Sequence, residues 1–229
     1  MARALQPLAR ESTASIIADQ LRAGIMDGLF APGQQMGEVQ LAQQLGVSRG
    51  LLREAMQRLV QEGLLRSERY RGLFVVELDV DDVWDIYLAR EGVERAAVRA
   101  LIHKGDPAAL EPVAKVVKRM ESALKRKRGT SLAELDLQFH AALVDASGSP
   151  RLKRVMQALL VETQMCLTRL EGRYPDPADL VAEHREILDA LLAHDEPRAL
   201  ALVTAHMADA VGRLGASSGD VSAVFEAPS

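Results

Sequence analysis

A chain of 229 residues has room for two ordinary domains, and 48% hydrophobic with 26% charged residues is the composition of a soluble globular protein, not a disordered or fibrous one. Its single cysteine, Cys166, excludes an internal disulfide and a cysteine-based zinc knuckle and fits a reducing, cytoplasmic setting, and no apolar run approaches the roughly 18 residues of a membrane span. The net charge of -4 argues mildly against nucleic acid, but residues 1–78 hold nine arginines against eight carboxylates while the rest holds nineteen cations against twenty-four carboxylates, so a slightly positive module is joined to an acidic body.

In chain order, residues 10–27 repeat apolar positions at helical spacing and stop at Gly28, with Ala31-Pro32-Gly33 as a turn. A short helix over 38–45 ends at Gly46, and Ser48 caps a third helix over 49–62. Leu64–Ser67 and Leu73–Glu77 read as strands of a hairpin, with Gly72 needing an unusual backbone angle. From Asp79 the pattern is helical: 79–104, 107–127, 131–147, 150–171, 178–194 and 196–215, each break marked by proline or glycine beside a cap. With aromatics at 3%, the expected fold is mainly α. It comprises a winged helix-turn-helix over 1–78, an all-helical antiparallel bundle over 79–216, and a disordered tail over 217–229.

Leu41, Ala42, Leu45, Val47, Leu52, Ala55, Met56 and Leu59 form one apolar seam that packs the second helix on the third. Ser48, Arg49 and Gly50 then lie at the start of the third helix, with Arg53 one turn on, where a recognition helix enters the major groove. An arginine can bond guanine bidentately or clamp a phosphate, and the Ser48 hydroxyl with the helix amides suits a phosphate. Arg69, Arg71 and Gly72 at the hairpin tip are expected to reach the DNA backbone or minor groove. The competing reading is solvated arginines pairing with Glu54 or Glu62, while Arg58 and Arg66 read as structural.

Leu21–Gly28, Ala31-Pro32-Gly33, Leu41-Ala42, Gly46–Arg49, Arg53-Glu54-Ala55, Glu62–Leu65 and Arg71-Gly72 together resemble the GntR-type regulators. The resemblance implies operator contact through Arg49, Arg53 and the wing glycine region. Gly50-Leu51 stands where Thr-Pro is common, and Val39 where some members have arginine, so the operator need not be the common one.

In the helical half, Asp136 and His140 share a helix face, His184 lies in line with Ile187, Leu188 and Leu191, and His206 follows Leu202 by one turn. Three imidazoles and a carboxylate pointing inward need partners, and one divalent ion satisfies all four. The donor set suits zinc first, nickel or another borderline ion next. The alternative is three separately hydrogen-bonded core histidines with Asp136 capping or pairing. Ile86-Tyr87 with Arg90 and Glu94, Asp136 with Phe139-His140, Glu183-His184 with Ile187, and His206 resemble the FCD ligand-binding domain of the FadR subgroup. That resemblance implies a metal on Asp136, His140, His184 and His206 at the floor of an effector pocket, and an Arg90 that receives the carboxylate of a small organic acid. Leu88 departs from the usual glutamate, and the alternative for Arg90 is a surface pair with Glu94.

Cys166, Gln164 and Arg169 are lesser candidates for the pocket lining, and His103 and His194 read as helix C-terminal cations. No His-Glu-x-x-His motif, nucleophile elbow or phosphate loop is present, and Glu183 points about 100° away from His184 on an ideal helix. The expectation is therefore a regulator and not an enzyme, a homodimer on a palindromic double-stranded operator, since two-fold symmetry doubles the contacts of a weakly charged module; the rival readings are the same fold with a structural metal and no effector, and a metal-dependent hydrolase.

Overall fold

The computed structural model describes residues 12–126, 132–168 and 177–214. Among these are nine α-helices and one two-stranded antiparallel sheet, and the chain divides into two compact units, Met1–Glu77 and Leu78–Ser229. No described helix is long and apolar enough to cross a membrane. The tail over 217–229 lies outside the described residues.

The first unit contains α1 (Thr13–Met26), α2 (Glu38–Leu45), α3 (Arg49–Gln61), β1 (Leu65–Glu68) and β2 (Gly72–Val75). Helix α1 starts where the Ser12 hydroxyl accepts from the Ser15 amide, and α3 where Ser48 accepts from Leu51. Between α2 and α3, Gly46 takes a left-handed conformation at φ 65, which a side chain disfavours. Leu52, Ala55, Met56 and Leu59 of α3 are completely buried, packed by Ala14, Ile17 and Leu21 of α1. In the seam with α2, Leu41 and Ala42 are buried while Leu45 and Val47 are half-buried. The hairpin pairs Leu65 with Val75 and Glu68 with Gly72. Residues 34–36 run beside β2: the Met36 amide donates to Leu73 O at 2.8 Å and the Val75 amide to Gln34 O at 2.9 Å. The sequence reads this stretch only as the end of a turn, because three residues are too few to show alternation.

The second unit contains α4 (Val80–Lys104), a 3-10 turn (Pro107–Leu110), α5 (Glu111–Arg126), α6 (Leu132–Ala146), α7 (Pro150–Thr168), α8 (Pro177–Leu192) and α9 (Glu196–Arg213). Asp79 and Asp82 close a reciprocal capping box at the start of α4. The single helix expected over 107–127 is broken. The Asp106 carboxylate accepts from the Ala108 amide, tightening the first turn before α5 begins. Helix α8 stops short of 194 because His194 adopts a left-handed φ of 54. Helix α4 packs on α6, α7 and α9, and α5 on α6 and α8. Their shared core includes Val98, Val113, Val117, Met120, Leu143 and Leu188, all fully buried. Each such large aliphatic contributes about 1.5–3 kcal/mol through removal from water. This apolar packing holds α4, α6, α8 and α9 rigid where polar side chains turn inward.

Candidate functional site

Asp136 and His140 project from successive turns of α6, His184 from α8 and His206 from α9, and all four are buried. One ligand atom from each lies within 4.8 Å of the others. Asp136 Oδ1 is 3.1 Å from His184 Nε2, 3.6 Å from His140 Nε2 and 3.9 Å from His206 Nε2, while His140 Nε2 and His206 Nε2 are 3.1 Å apart. Donors about 2.1 Å from a central ion lie about 3.0–3.5 Å from one another in tetrahedral or cis-octahedral arrangements, so the two 3.1 Å separations match a coordination shell and the 3.6 and 3.9 Å ones are somewhat wider than it.

Hydrogen bonding on the far side of each ring explains the convergence. His140 Nδ1 lies 2.7 Å from Glu94 Oε2, His206 Nδ1 2.8 Å from Glu183 Oε2, and His184 Nδ1 2.7 Å from Leu180 O. A carbonyl oxygen only accepts, so His184 carries a proton on Nδ1, and as the neutral ring it presents a lone pair at Nε2. That lone pair faces Asp136 Oδ1, and neither buried atom makes a hydrogen bond although they are 3.1 Å apart. Two acceptors in contact inside a dry site repel, and a cation between them removes the repulsion. The Phe139 ring, completely buried, stands edge-on to His184 at 4.4 Å between centroids and walls the group.

Charge is redistributed accordingly. Burial alone would raise the Asp136 carboxyl, but positive charge and hydrogen-bond donation from the His140 and His184 rings, when these carry the extra proton, hold it well below the usual carboxylate range. Burial lowers His140, yet the Glu94 and Asp136 carboxylates outweigh it and the net shift is upward, against the opposing charge of Arg90. Burial, with His184 and His140 alongside, pushes His206 down to about 4 in spite of its bond to Glu183. A proton on His140 Nε2 can therefore be donated to His206 Nε2, 3.1 Å away.

Arg90 is 1% exposed. Its Nη2 lies 3.2 Å and its Nε 3.4 Å from Glu94 Oε1, its Nη1 3.5 Å from Thr163 Oγ1, and its guanidinium 4.8 Å from the Tyr87 ring. The Glu94 pair is thus real but buried, not on the surface, and it continues through Glu94 to His140. Glu183, set off the His184 face by helical geometry, turns to α9 and reaches His206. It also pairs with Arg213 at 3.1 Å. Sequence reasoning missed the bonds from Glu94 to His140 and from Glu183 to His206, because each spans tens of residues. Cys166 is buried, Gln164 is exposed, and Arg169 lies outside the described residues.

In the first unit, Arg49 and Arg53 remain more than half exposed. Their partner is Glu38, in the first turn of α2, at 3.9 Å from Arg49 Nη2 and 2.7 Å from Arg53 Nε. Glu54 instead pairs with Arg58, and Glu62 with Arg22. Ser48 is spent on the α3 cap, and Gly50 beside it is exposed. At the hairpin, Arg71 pairs with Glu68 and lies over Phe74, while the Arg69 guanidinium sits 4.8 Å from the Tyr70 ring. Gly72 has φ 102, with Gln35 bonded to the carbonyl of Arg71 next to it.

Residues 85–209 match the FCD domain family, and residues 13–75 match the gntR family of bacterial regulatory proteins. The HTH-type transcriptional regulator YdhC of Bacillus subtilis is 31% identical over 190 residues, 82% of this chain and 84% of the relative. The gluconate operon transcriptional repressor of Bacillus licheniformis is 26% identical, over 90% of this chain and 87% of its own length. The crystal structure of a GntR transcriptional regulator from Rhodococcus sp. RHA1 has a TM-score of 0.75 at 29% identity, covering 91% of this chain and 100% of that one. These relatives are transcriptional regulators rather than enzymes.

The depressed His206 value gives a pH dependence of definite sign. Unfolded, this histidine takes its proton near the ordinary 6.5; folded, only near 4, so the unfolded chain is favoured as pH falls between these values. By pH about 4.5 the loss should reach about 2–3 kcal/mol. In chelator-treated protein, His206→Gln should flatten the decline in urea-unfolding stability over this window relative to wild type. Parallel declines would show that His206 is not held neutral.

Proposed function

The chain belongs to the GntR family of bacterial transcription regulators and carries an FCD domain, and from that premise we propose that it binds a palindromic operator as a homodimer whose affinity is set by a small organic acid at a metal site in the helical unit. Arg49 and Arg53 read base edges or clamp phosphates from the start of α3, with the exposed Gly50 allowing close backbone approach. Ser48 contributes through the α3 N-terminus it caps. Arg69 and Arg71, with Gly72 shaping the tip, address the flanking backbone or minor groove. Exposure of both α3 arginines beside a buried seam supports this assignment. Losing one bidentate contact costs about 1–3 kcal/mol, or roughly 5- to 150-fold in affinity.

The observation that carries the effector half is the buried contact between two acceptors, Asp136 Oδ1 and His184 Nε2, with two further imidazole nitrogens turned to the same point. Asp136, His140, His184 and His206 are the residues that would hold a divalent ion, zinc first on this nitrogen-rich set. Such an ion, when bound, supplies positive charge and open coordination positions for a carboxylate. Glu94, Glu183 and Leu180 O hold the rings in the required tautomer. Arg90 receives the effector carboxylate; its loosely held Nη1, 3.5 Å from Thr163, can turn to a second acceptor. Helix α4 carries Arg90 and Glu94 and begins at Val80, just after the boundary between the units, so a shift in α4 is passed along the chain toward the DNA-binding unit.

Arg53→Ala should weaken binding to a duplex selected from a random pool by the wild-type protein by at least about tenfold at matched salt, with the melting temperature unchanged. Unaltered affinity would remove Arg53 from the interface. Elemental analysis should find one divalent ion per chain in wild type and in Arg90→Ala, and little in His184→Ala. Arg90→Ala should also need more organic acid to release the duplex. Metal loss in Arg90→Ala with a normal acid response would reverse the assigned roles.

A further inference from the structure

The most exposed large hydrophobic residue among those described is Tyr70, at 90%, on the apex of the hairpin between β1 and β2. It occupies the third position of a turn closed by the Arg71 amide donating to Glu68 O at 3.1 Å, and its φ is 63. A positive φ at that position ordinarily selects glycine or asparagine, and an aromatic side chain there is strained. The fold gains almost no burial in return. The ring instead lies against Arg69, whose guanidinium is 4.8 Å from its centroid; among the described residues no carboxylate pairs with Arg69. Arg71 on the other side is held by Glu68 and Phe74. The tip is therefore an apolar plate backed by a cation, carried on two paired strands that keep it projecting.

We propose that Tyr70 is a DNA-contacting residue of the wing, its ring packing on the sugar-phosphate wall of the minor groove while Arg69 meets the negative potential of that groove. The proposal rests on the reading of α3 and the hairpin as the operator-contacting elements. Duplex DNA fits both halves of the plate: deoxyribose offers apolar surface, and a narrow minor groove attracts arginine. A partner surface of purely apolar character would leave the Arg69 charge buried and uncompensated.

Asparagine separates strain from function, because it adopts a left-handed conformation more readily than tyrosine. The full-length wild type is compared with Tyr70→Asn, Tyr70→Phe and Arg53→Ala by thermal melting and by titration of the selected duplex. Tyr70→Asn should melt at or above the wild-type temperature yet bind roughly fivefold more weakly and lose hydroxyl-radical protection of the minor groove beside each half-site. Tyr70→Phe should stay within about twofold of wild type, since the ring face is retained. Wild-type affinity in Tyr70→Asn, with binding lost in Arg53→Ala, would overturn the role of Tyr70 and leave the wider interface standing. Retained binding in both would overturn the two together. A lower melting temperature for Tyr70→Asn would show that the ring packs on the fold. A change in self-association with unchanged duplex affinity would assign the ring to contact between copies. Either result would overturn the proposal.

Discussion

Four electron-rich atoms facing one another in a dry interior is the constraint around which the helical unit is organised. Each imidazole has its Nδ1 engaged on the far side, at Glu94, Glu183 or the Leu180 carbonyl, which leaves Nε2 to face inward. Apolar packing of α4, α5, α6, α8 and α9 prevents the helices from parting to relieve the contact. The cluster must then take up positive charge. A proton on His140 is one solution, consistent with its raised pKa, and a divalent ion is the more complete one. Arg90 is part of the same balance. It neutralises Glu94, which in turn engages His140, so under the proposed function a carboxylate at Arg90 would perturb the cluster through a single intervening side chain.

The DNA-binding unit follows the opposite logic. Arg49 and Arg53 stay largely in water, and Glu38 pairs with them without burying them. Glu38 lies against both Arg49 and Arg53, so neither guanidinium reaches a phosphate without leaving or sharing that carboxylate. Exposed pairs of this kind are worth about 0–1 kcal/mol, small beside a bidentate base contact. The arrangement keeps both arginines near Glu38 at the start of α3.

Much of this was legible in the sequence. Periodicity with the Ser48 cap and with breaks at proline or glycine marked the helices, and the four-residue spacing of Asp136 and His140 marked one face of α6. What stayed hidden depends on pairing between distant segments. Glu94 meets His140 across 46 residues, and residues 34–36 lie along β2 through backbone bonds that leave no side-chain pattern. Arg90 with Glu94 looks the same in sequence whether the pair is on the surface or in the core. Only the packing of α4 among α6, α7 and α9 decides for the core. Tyr70 was passed over because it is flanked by more conspicuous arginines, and its significance lies in a backbone angle that sequence does not display.

The central claim is that the contact between Asp136 and His184 demands a cation. Its most direct test is the melting temperature of wild type and Asp136→Asn, each chelator-treated and then given equimolar zinc. Asparagine can donate its amide to His184 Nε2, which turns the repulsive contact into a hydrogen bond. Wild type should gain substantially on adding zinc, several degrees or more. Asp136→Asn should gain little, while its chelator-treated form melts no lower than chelator-treated wild type. An undiminished zinc response in Asp136→Asn, or none in wild type, would contradict the account.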